Sequence, residues 1–199
     1  SPACVKLTCR FESLVKQGRE QGLSYLNSKD EKLKKSSKKN LEDAEKLLKN
    51  ALKQSPACEK CLEHLVATYF YQTYFGFSKD YDDCVKTSTQ GLTQFPANGR
   101  IAYFRGYAYY NSYQYAEANK DFKSALLSVD AQTAAQITQI LQMSQQAFLT
   151  NWNRQANYYQ SRESRIEQYN PQTYRNEIAF QVTPEFEMQL GAQGFAAIT

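Results

Sequence analysis

Residues 106–126 read GYAYYNSYQYAEANKDFKSAL, and this stretch decides the fold class. Four side chains in its second half fall at offsets of 0, 3, 7 and 10 residues: Tyr115, Ala118, Phe122 and Ala125. That spacing brings side chains onto one face of an α-helix. Two of the four residues are small, which lets a second helix approach closely. The stretch therefore predicts two helices, 100–113 and 115–128, packed against each other.

The same pattern occurs twice more upstream. One copy consists of Leu41, Ala44, Leu48 and Ala51, and the other of Tyr81, Cys84, Ser88 and Gly91. A helical stretch precedes each copy, and a stop follows five residues after its last member, at Pro56, Pro96 or Asp130. The chain is thus expected to contain six paired helices: 11–26, 41–54, 57–75, 81–94, 100–113 and 115–128.

With these motifs the chain resembles the tetratricopeptide repeat family, and in particular its bacterial envelope proteins and lipoproteins. Tyr81 and Tyr115 are one 34-residue family period apart, whereas 40 residues separate Leu41 from Tyr81. The resemblance implies an all-α, right-handed helical solenoid of about three helix pairs. The expected organisation is an N-terminal segment 1–10, helix pairs over 11–130, capping helices over 131–169 and an irregular tail over 170–199.

The resemblance also implies a concave groove lined by the first helix of each pair. Eight side chains are expected there as partner-binding residues: Lys60, Phe70, Tyr71, Arg100, Tyr103, Tyr107, Tyr110 and Asn111. Aromatic and arginine side chains of this kind suit an extended peptide or a helix. Tyrosines stand where the family's carboxylate-clamp members carry Asn and Lys, which argues against binding of a chaperone's C-terminal carboxylate. The alternative is that capping helices or the tail cover these tyrosines.

Charge is uneven along the chain, which has a formal net charge of +4. Residues 29–39 (KDEKLKKSSKK) hold six lysines against two acidic residues. Because no aromatic residue interrupts this run, a solvated loop between helices is favoured over a contact with phosphate groups or anionic lipid. No apolar run approaches the roughly 18 residues of a membrane-spanning helix.

Four of the five cysteines form two close pairs, Cys4 with Cys9 and Cys58 with Cys61. Two disulfides stapling the N-terminus to the second helix pair are the favoured interpretation. The alternatives are a four-thiolate zinc site and a metal site made of Cys58, Cys61, His64 and a fourth ligand. A thioredoxin-like redox centre would require a preceding strand, which the sequence does not offer. Cys84 occupies a small-residue position and is expected to be buried and inert.

Nothing in the sequence assembles a catalytic site or a cofactor-binding motif. His64 is the single histidine, no Ser or Cys nucleophile can be paired with it from spacing, and no phosphate-binding glycine loop occurs. It is therefore expected to be a surface or interface residue. We expect a non-enzymatic chain without metal or cofactor.

The function expected from these observations is that of a scaffold or adaptor within a multi-protein complex, with no nucleic-acid partner. Paired cysteines point to a periplasmic or extracellular location, and a lipid on Cys4 would tether the chain to an outer membrane. The alternative is a carrier or chaperone module that binds a peptide or small ligand in the tyrosine-rich groove.

Overall fold

The structure is a computed structural model that describes residues 2–169, with side chains described for residues 10–158. Within that range it contains seven helices, which confirms the expected all-α class: α1 (Pro2–Ser28), α2 (Glu31–Gln54), α3 (Glu59–Tyr74), α4 (Asp82–Gln94), α5 (Gly99–Asn111), α6 (Tyr115–Ala125) and α7 (Ala131–Tyr169). The predicted tail 170–199 lies outside the described residues.

The lysine-rich segment is helical, so its interpretation as a loop between helices is wrong. Lys29 turns the chain with a positive φ of 58°, and Asp30 then caps α2 by accepting a hydrogen bond from the Lys32 amide at 2.8 Å. Lys and Glu have high helix propensity, and the lysines lie on exposed or partly exposed positions. Ser37 anchors the helix by donating to the Gly18 carbonyl of α1 at 2.7 Å.

Consecutive helices pack against each other from α1 through α6. In addition, α3 packs against both α1 and α5, so these three helices lie side by side. A first core cluster is formed by buried side chains from each of the helices α1 to α5. Its fully buried side chains include Leu48, Val66 and Ile101. Burial of such aliphatic and aromatic side chains is the main source of stability for an array of short helices.

Small residues set the closest helix contacts, as the sequence pattern predicts. An added Cβ at Gly106 of α5 would lie 3.0 Å from the ring of Phe122 in α6. Ala44 and Ala118, at the corresponding small-residue positions of α2 and α6, are both fully buried. The α5–α6 pair therefore packs face to face through this small-residue position.

Two of the turns between helices have the same hydrogen-bond pattern. The α2–α3 turn closes with the Cys58 amide donating to the Ser55 carbonyl at 3.1 Å, and the α4–α5 turn closes with the Asn98 amide donating to the Phe95 carbonyl at 3.0 Å. Cys58 and Asn98 also share extended backbone angles, with φ of −77° and −76°. The sequences that form them, QSPAC and QFPAN, are correspondingly alike.

The described chain divides into two compact units, residues 1–141 and residues from 142 onward. Within the first unit, a second core cluster joins the start of α7 to α5 and α6. Its α7 members are Ile137, Ile140 and Leu141, which pack with Phe122 and neighbouring alanines. The described backbone of the second unit continues α7 to Tyr169. Residues 131–169, expected as capping helices, therefore form one 39-residue helix.

Candidate partner-binding cleft

A cleft of about 650 Å³ lies in the first unit where the starts of α3, α5 and α7 meet the side of α1. Its walls consist of charged, amide and tyrosine side chains with a few backbone positions. The lining residues include Arg19, Glu59, Lys60, Glu63, Tyr71, Asn98, Arg100, Tyr103, Phe104, Asp130 and Thr133. Helices α1, α3 and α5, the α6–α7 turn and the start of α7 thus contribute to one concavity.

Asn98 is the centre of the polar network in this cleft. Its side-chain oxygen caps α5 by accepting from the Ile101 amide at 2.9 Å. Its side-chain nitrogen donates to Glu59 and to Glu63, both at 2.8 Å. The other oxygen of Glu63 accepts from Lys60 Nζ at 2.9 Å. The buried carboxylate of Glu63 therefore has partners on both oxygens, as a charge in such a site requires.

Two arginines of the cleft, Arg19 and Arg100, supply positive charge there. Neither Arg19 nor Arg100 forms an ion pair among the described side chains, whereas Lys60 is paired. The Arg100 guanidinium lies 5.9 Å from the centroid of the Phe104 ring, close enough for a cation–π interaction. Each guanidinium carries a planar set of N–H donors that suits carboxylate or phosphate groups.

Tyr71 and Tyr103 place two neutral hydroxyl groups beside these arginines. Burial raises the pKa of Tyr71 above its ordinary value, and Arg19 and Arg100 partly oppose that shift. Burial likewise raises the pKa of Tyr103 to about 12. Both phenols therefore stay protonated at neutral pH and can donate as well as accept hydrogen bonds.

A row of tyrosines leads away from the cleft along α5 to the start of α6. We call it the tyrosine ladder, and it consists of Tyr103, Tyr107, Tyr110 and Tyr115. Ring centroids are 5.9 Å apart between Tyr103 and Tyr107, 6.1 Å between Tyr107 and Tyr110, and 5.5 Å between Tyr110 and Tyr115. These are favourable aromatic separations. Tyr113, next to the end of the ladder, is 78% exposed.

The structure separates the eight predicted groove residues into three groups. Lys60, Tyr71, Arg100 and Tyr103 line the cleft, and Tyr107 and Tyr110 belong to the tyrosine ladder. The other two have internal partners. Asn111 donates to the Tyr81 hydroxyl at 3.1 Å, and Phe70 lies in the first core cluster with 2% of its surface exposed.

Sequence reasoning missed the residues that the turns bring into the cleft. Asn98 precedes α5, and Asp130 precedes α7, where it accepts from the Thr133 amide at 2.9 Å. The Pro-Ala-Asn sequence before α5 is a helix-start signal that would have identified the cap. No sequence signal indicated that two such helix starts share one concavity.

The disulfide is local, so the expectation of bridges stapling the N-terminus to the second helix pair is wrong for Cys58 and Cys61. These two residues bond to each other, because positions i and i+3 at a helix start bring their Cα atoms to 5.2 Å. The side chains of Cys4 and Cys9 lie outside the described ones. Cys84 is free and 1% exposed, as expected, and burial raises the pKa of its thiol to about 12.

His64 is buried where α3 packs against α1, which is the interface placement among the two that were expected. Its ring packs 5.3 Å from the ring of Phe11, and its Nε2 lies 3.4 Å from a Glu12 oxygen. Its Nδ1 has no hydrogen-bond partner among the described residues. Burial lowers the pKa of His64, with Arg100 and Lys60 acting in the same direction and Glu12 and Glu63 opposing.

Two further properties of the described residues bear on function. None of the described helices combines the length and the apolar character needed to span a lipid bilayer. No cluster of three or more His, Cys, Asp or Glu side chains in the described part of the chain has the arrangement of a metal site.

No family model matches the sequence, and neither a curated protein nor a solved structure shows significant similarity to it.

Proposed function

We propose that the protein is a non-enzymatic adaptor that holds a segment of a partner protein in the cleft and along the tyrosine ladder. One observation carries the proposal: Arg19, Tyr71, Arg100 and Tyr103, from three helices, converge on one cleft. The two arginines there have no carboxylate partner among the described side chains. Tyr and Arg are the residue types that contribute most binding energy at protein interfaces.

The architecture we propose for this adaptor is a tetratricopeptide-like solenoid. The sequential packing of α1 through α6 supports it, as do the contacts of α3 with α1 and α5. In such an array the first helix of each pair lines one surface, and α1, α3 and α5 all contribute to the cleft. We place the adaptor in a periplasmic or extracellular complex, because the Cys58–Cys61 disulfide suits an oxidising compartment.

Site-specific photo-cross-linking tests where the partner binds. A photoreactive amino acid replaces Tyr103 in the cleft in one variant and exposed Lys86 of α4 in the matched control. In cells of the source organism, the cleft variant should give a discrete cross-linked protein and the control should not. Equal cross-linking from both positions would contradict the proposal.

The alternative function is a carrier of short peptides or small ligands in the same cleft. Its support is the volume of about 650 Å³, which is within the range of small-molecule sites. Native mass spectrometry of the purified protein distinguishes the two functions. A bound small ligand that is lost on Tyr103→Ala favours the carrier, whereas an empty cleft together with a cross-linked protein favours the adaptor.

A further inference from the structure

Two cysteines close the turn at the start of α3, although the chain builds the same turn elsewhere without them. Cys58 Sγ accepts a hydrogen bond from the Cys61 amide at 3.2 Å, and Asn98 Oδ1 accepts from the Ile101 amide at 2.9 Å. The cap residues share their backbone angles, as described above. Because Asn98 and Ile101 suffice at α5, forming this turn does not require a disulfide.

The two sulfurs differ in their access to solvent. Cys58 is partly exposed at the cap position and packs against the edge of the first core cluster, whereas Cys61 is 5% exposed and belongs to that cluster. An external thiolate therefore has easier access to Cys58 than to Cys61. This asymmetry assigns the roles of attacked and leaving sulfur.

The position of Cys58 favours its thiolate once the disulfide is reduced. It stands at the N-terminus of a 16-residue helix, whose dipole and free amides stabilise negative charge. The Cys61 amide already points at its sulfur. The disulfide spans a sequence separation of three, and such a short loop contributes less stability than a long one.

We propose that Cys58 and Cys61 are a redox-active pair that exchanges with thiols and disulfides, independently of the adaptor function. An external thiolate attacks Cys58 Sγ, the Cys58–Cys61 bond breaks, and its electron pair leaves on Cys61, which takes up a proton. A second external thiolate then attacks the outer sulfur of the mixed disulfide and releases the Cys58 thiolate. Two external thiols are oxidised to one disulfide, and the protein pair is reduced by two electrons.

This chemistry needs an accessible sulfur at a helix start and a second sulfur within reach, and it does not need the preceding strand of a thioredoxin-like centre. Glu59 and Lys60, the two residues between the cysteines, both line the cleft. Cys58 and Cys61 are not lining residues themselves, so exchange takes place beside the cleft.

The test uses the full chain with Cys4→Ser and Cys9→Ser, so that only this pair and buried Cys84 remain. The protein is equilibrated with buffers of varied reduced-to-oxidised glutathione ratio, alkylated, and analysed by peptide mass spectrometry. The pair should shift reversibly between oxidised and reduced forms without loss of helix content by circular dichroism. A pair that stays oxidised in excess reduced glutathione until the protein is unfolded would overturn the proposal.

Single variants test the assigned roles. In the Cys61→Ser variant only Cys58 of the pair remains, and in Cys58→Ser only Cys61 remains. The rate of mixed-disulfide formation with glutathione should be at least about tenfold higher for Cys58 than for Cys61. Equal rates would contradict the assignment. The double variant Cys58→Asn/Cys61→Ile copies the α5 turn and should fold with unchanged helix content and no exchange. If a single variant fails to fold, the glutathione titration of the Cys4→Ser/Cys9→Ser chain, in which Cys58 and Cys61 are both present, still decides the proposal.

Discussion

Gly22 has no room for a side chain. An added Cβ would lie 2.5 Å from Phe75 Cζ and closer still to two other atoms of that ring, which packs among Tyr71, Tyr74 and Phe77. The sequence shows a glycine in an otherwise helical stretch, but only the structure shows that an aromatic ring from beyond α3 occupies the space.

Replacement of Gly22 by Ala should therefore destabilise the protein. Ala in a helix gains about 0.5–1 kcal/mol over Gly, whereas overpacking a core contact costs about 1–3 kcal/mol. We expect a net loss of about 1 kcal/mol or more in urea unfolding. The exposed control Ser24→Ala on the same helix should stay within about 0.5 kcal/mol. A stabilised Gly22→Ala variant would show that α1 does not approach Phe75.

His64 should make stability depend on pH. Because burial lowers its folded-state pKa, the unfolded chain binds more protons as the pH falls below the ordinary value of about 6.5. The stability from neutral His64 is thus fully present above that value and is lost as the pH falls toward the folded-state pKa. Urea unfolding should show lower stability at pH 5.5 than at pH 7.5, by at most about 1.4 kcal/mol per pH unit.

The variant His64→Phe is the control for this pH effect, because it removes the single histidine of the chain. Phe is chosen because Phe104 occupies the corresponding position of α5. The difference in unfolding free energy between the two pH values should shrink in this variant. An unchanged difference would mean that other groups cause it.

At the scale of elements, periodicity predicted the helices well because each buries one face against a neighbour. The lysine-rich start of α2 was missed because its apolar residues show little helical periodicity and because its cap, Asp30, lies within a run of charged residues. The caps matter unequally, because Asn98 is buried and bonds two glutamates, whereas Asp30 is exposed.

This difference predicts unequal costs for removing the two caps. Asn98→Ala should lose about 2–3 kcal/mol, because it removes the cap of α5 and leaves the buried Glu63 short of a donor. Asp30→Ala should lose about 1 kcal/mol or less. Chemical denaturation of both variants measures the two costs, and equal losses would contradict the buried network around Asn98.

At the scale of the whole molecule, the sequence predicted the class, six of the helix positions and part of the cleft. Lys60, Tyr71, Arg100 and Tyr103 could be expected together because they recur on first helices. Phe70 was misplaced because a step of one residue, about 100° around the helix axis, decides whether an aromatic side chain enters the core or the groove. The contribution of the α6–α7 turn could not be foreseen, because loop placement depends on packing between elements distant in sequence.

The affinity for the cross-linked partner tests most directly whether the cleft is the binding surface. Isothermal titration calorimetry would compare the wild-type chain, the cleft variant Arg19→Ala/Arg100→Ala and the matched control Lys53→Ala/Lys86→Ala, whose lysines are exposed on α2 and α4. We predict that the cleft variant binds at least about tenfold more weakly, a loss of about 1.4 kcal/mol, and that the control binds like the wild type. Equal affinity of the cleft variant and the wild type would contradict the account.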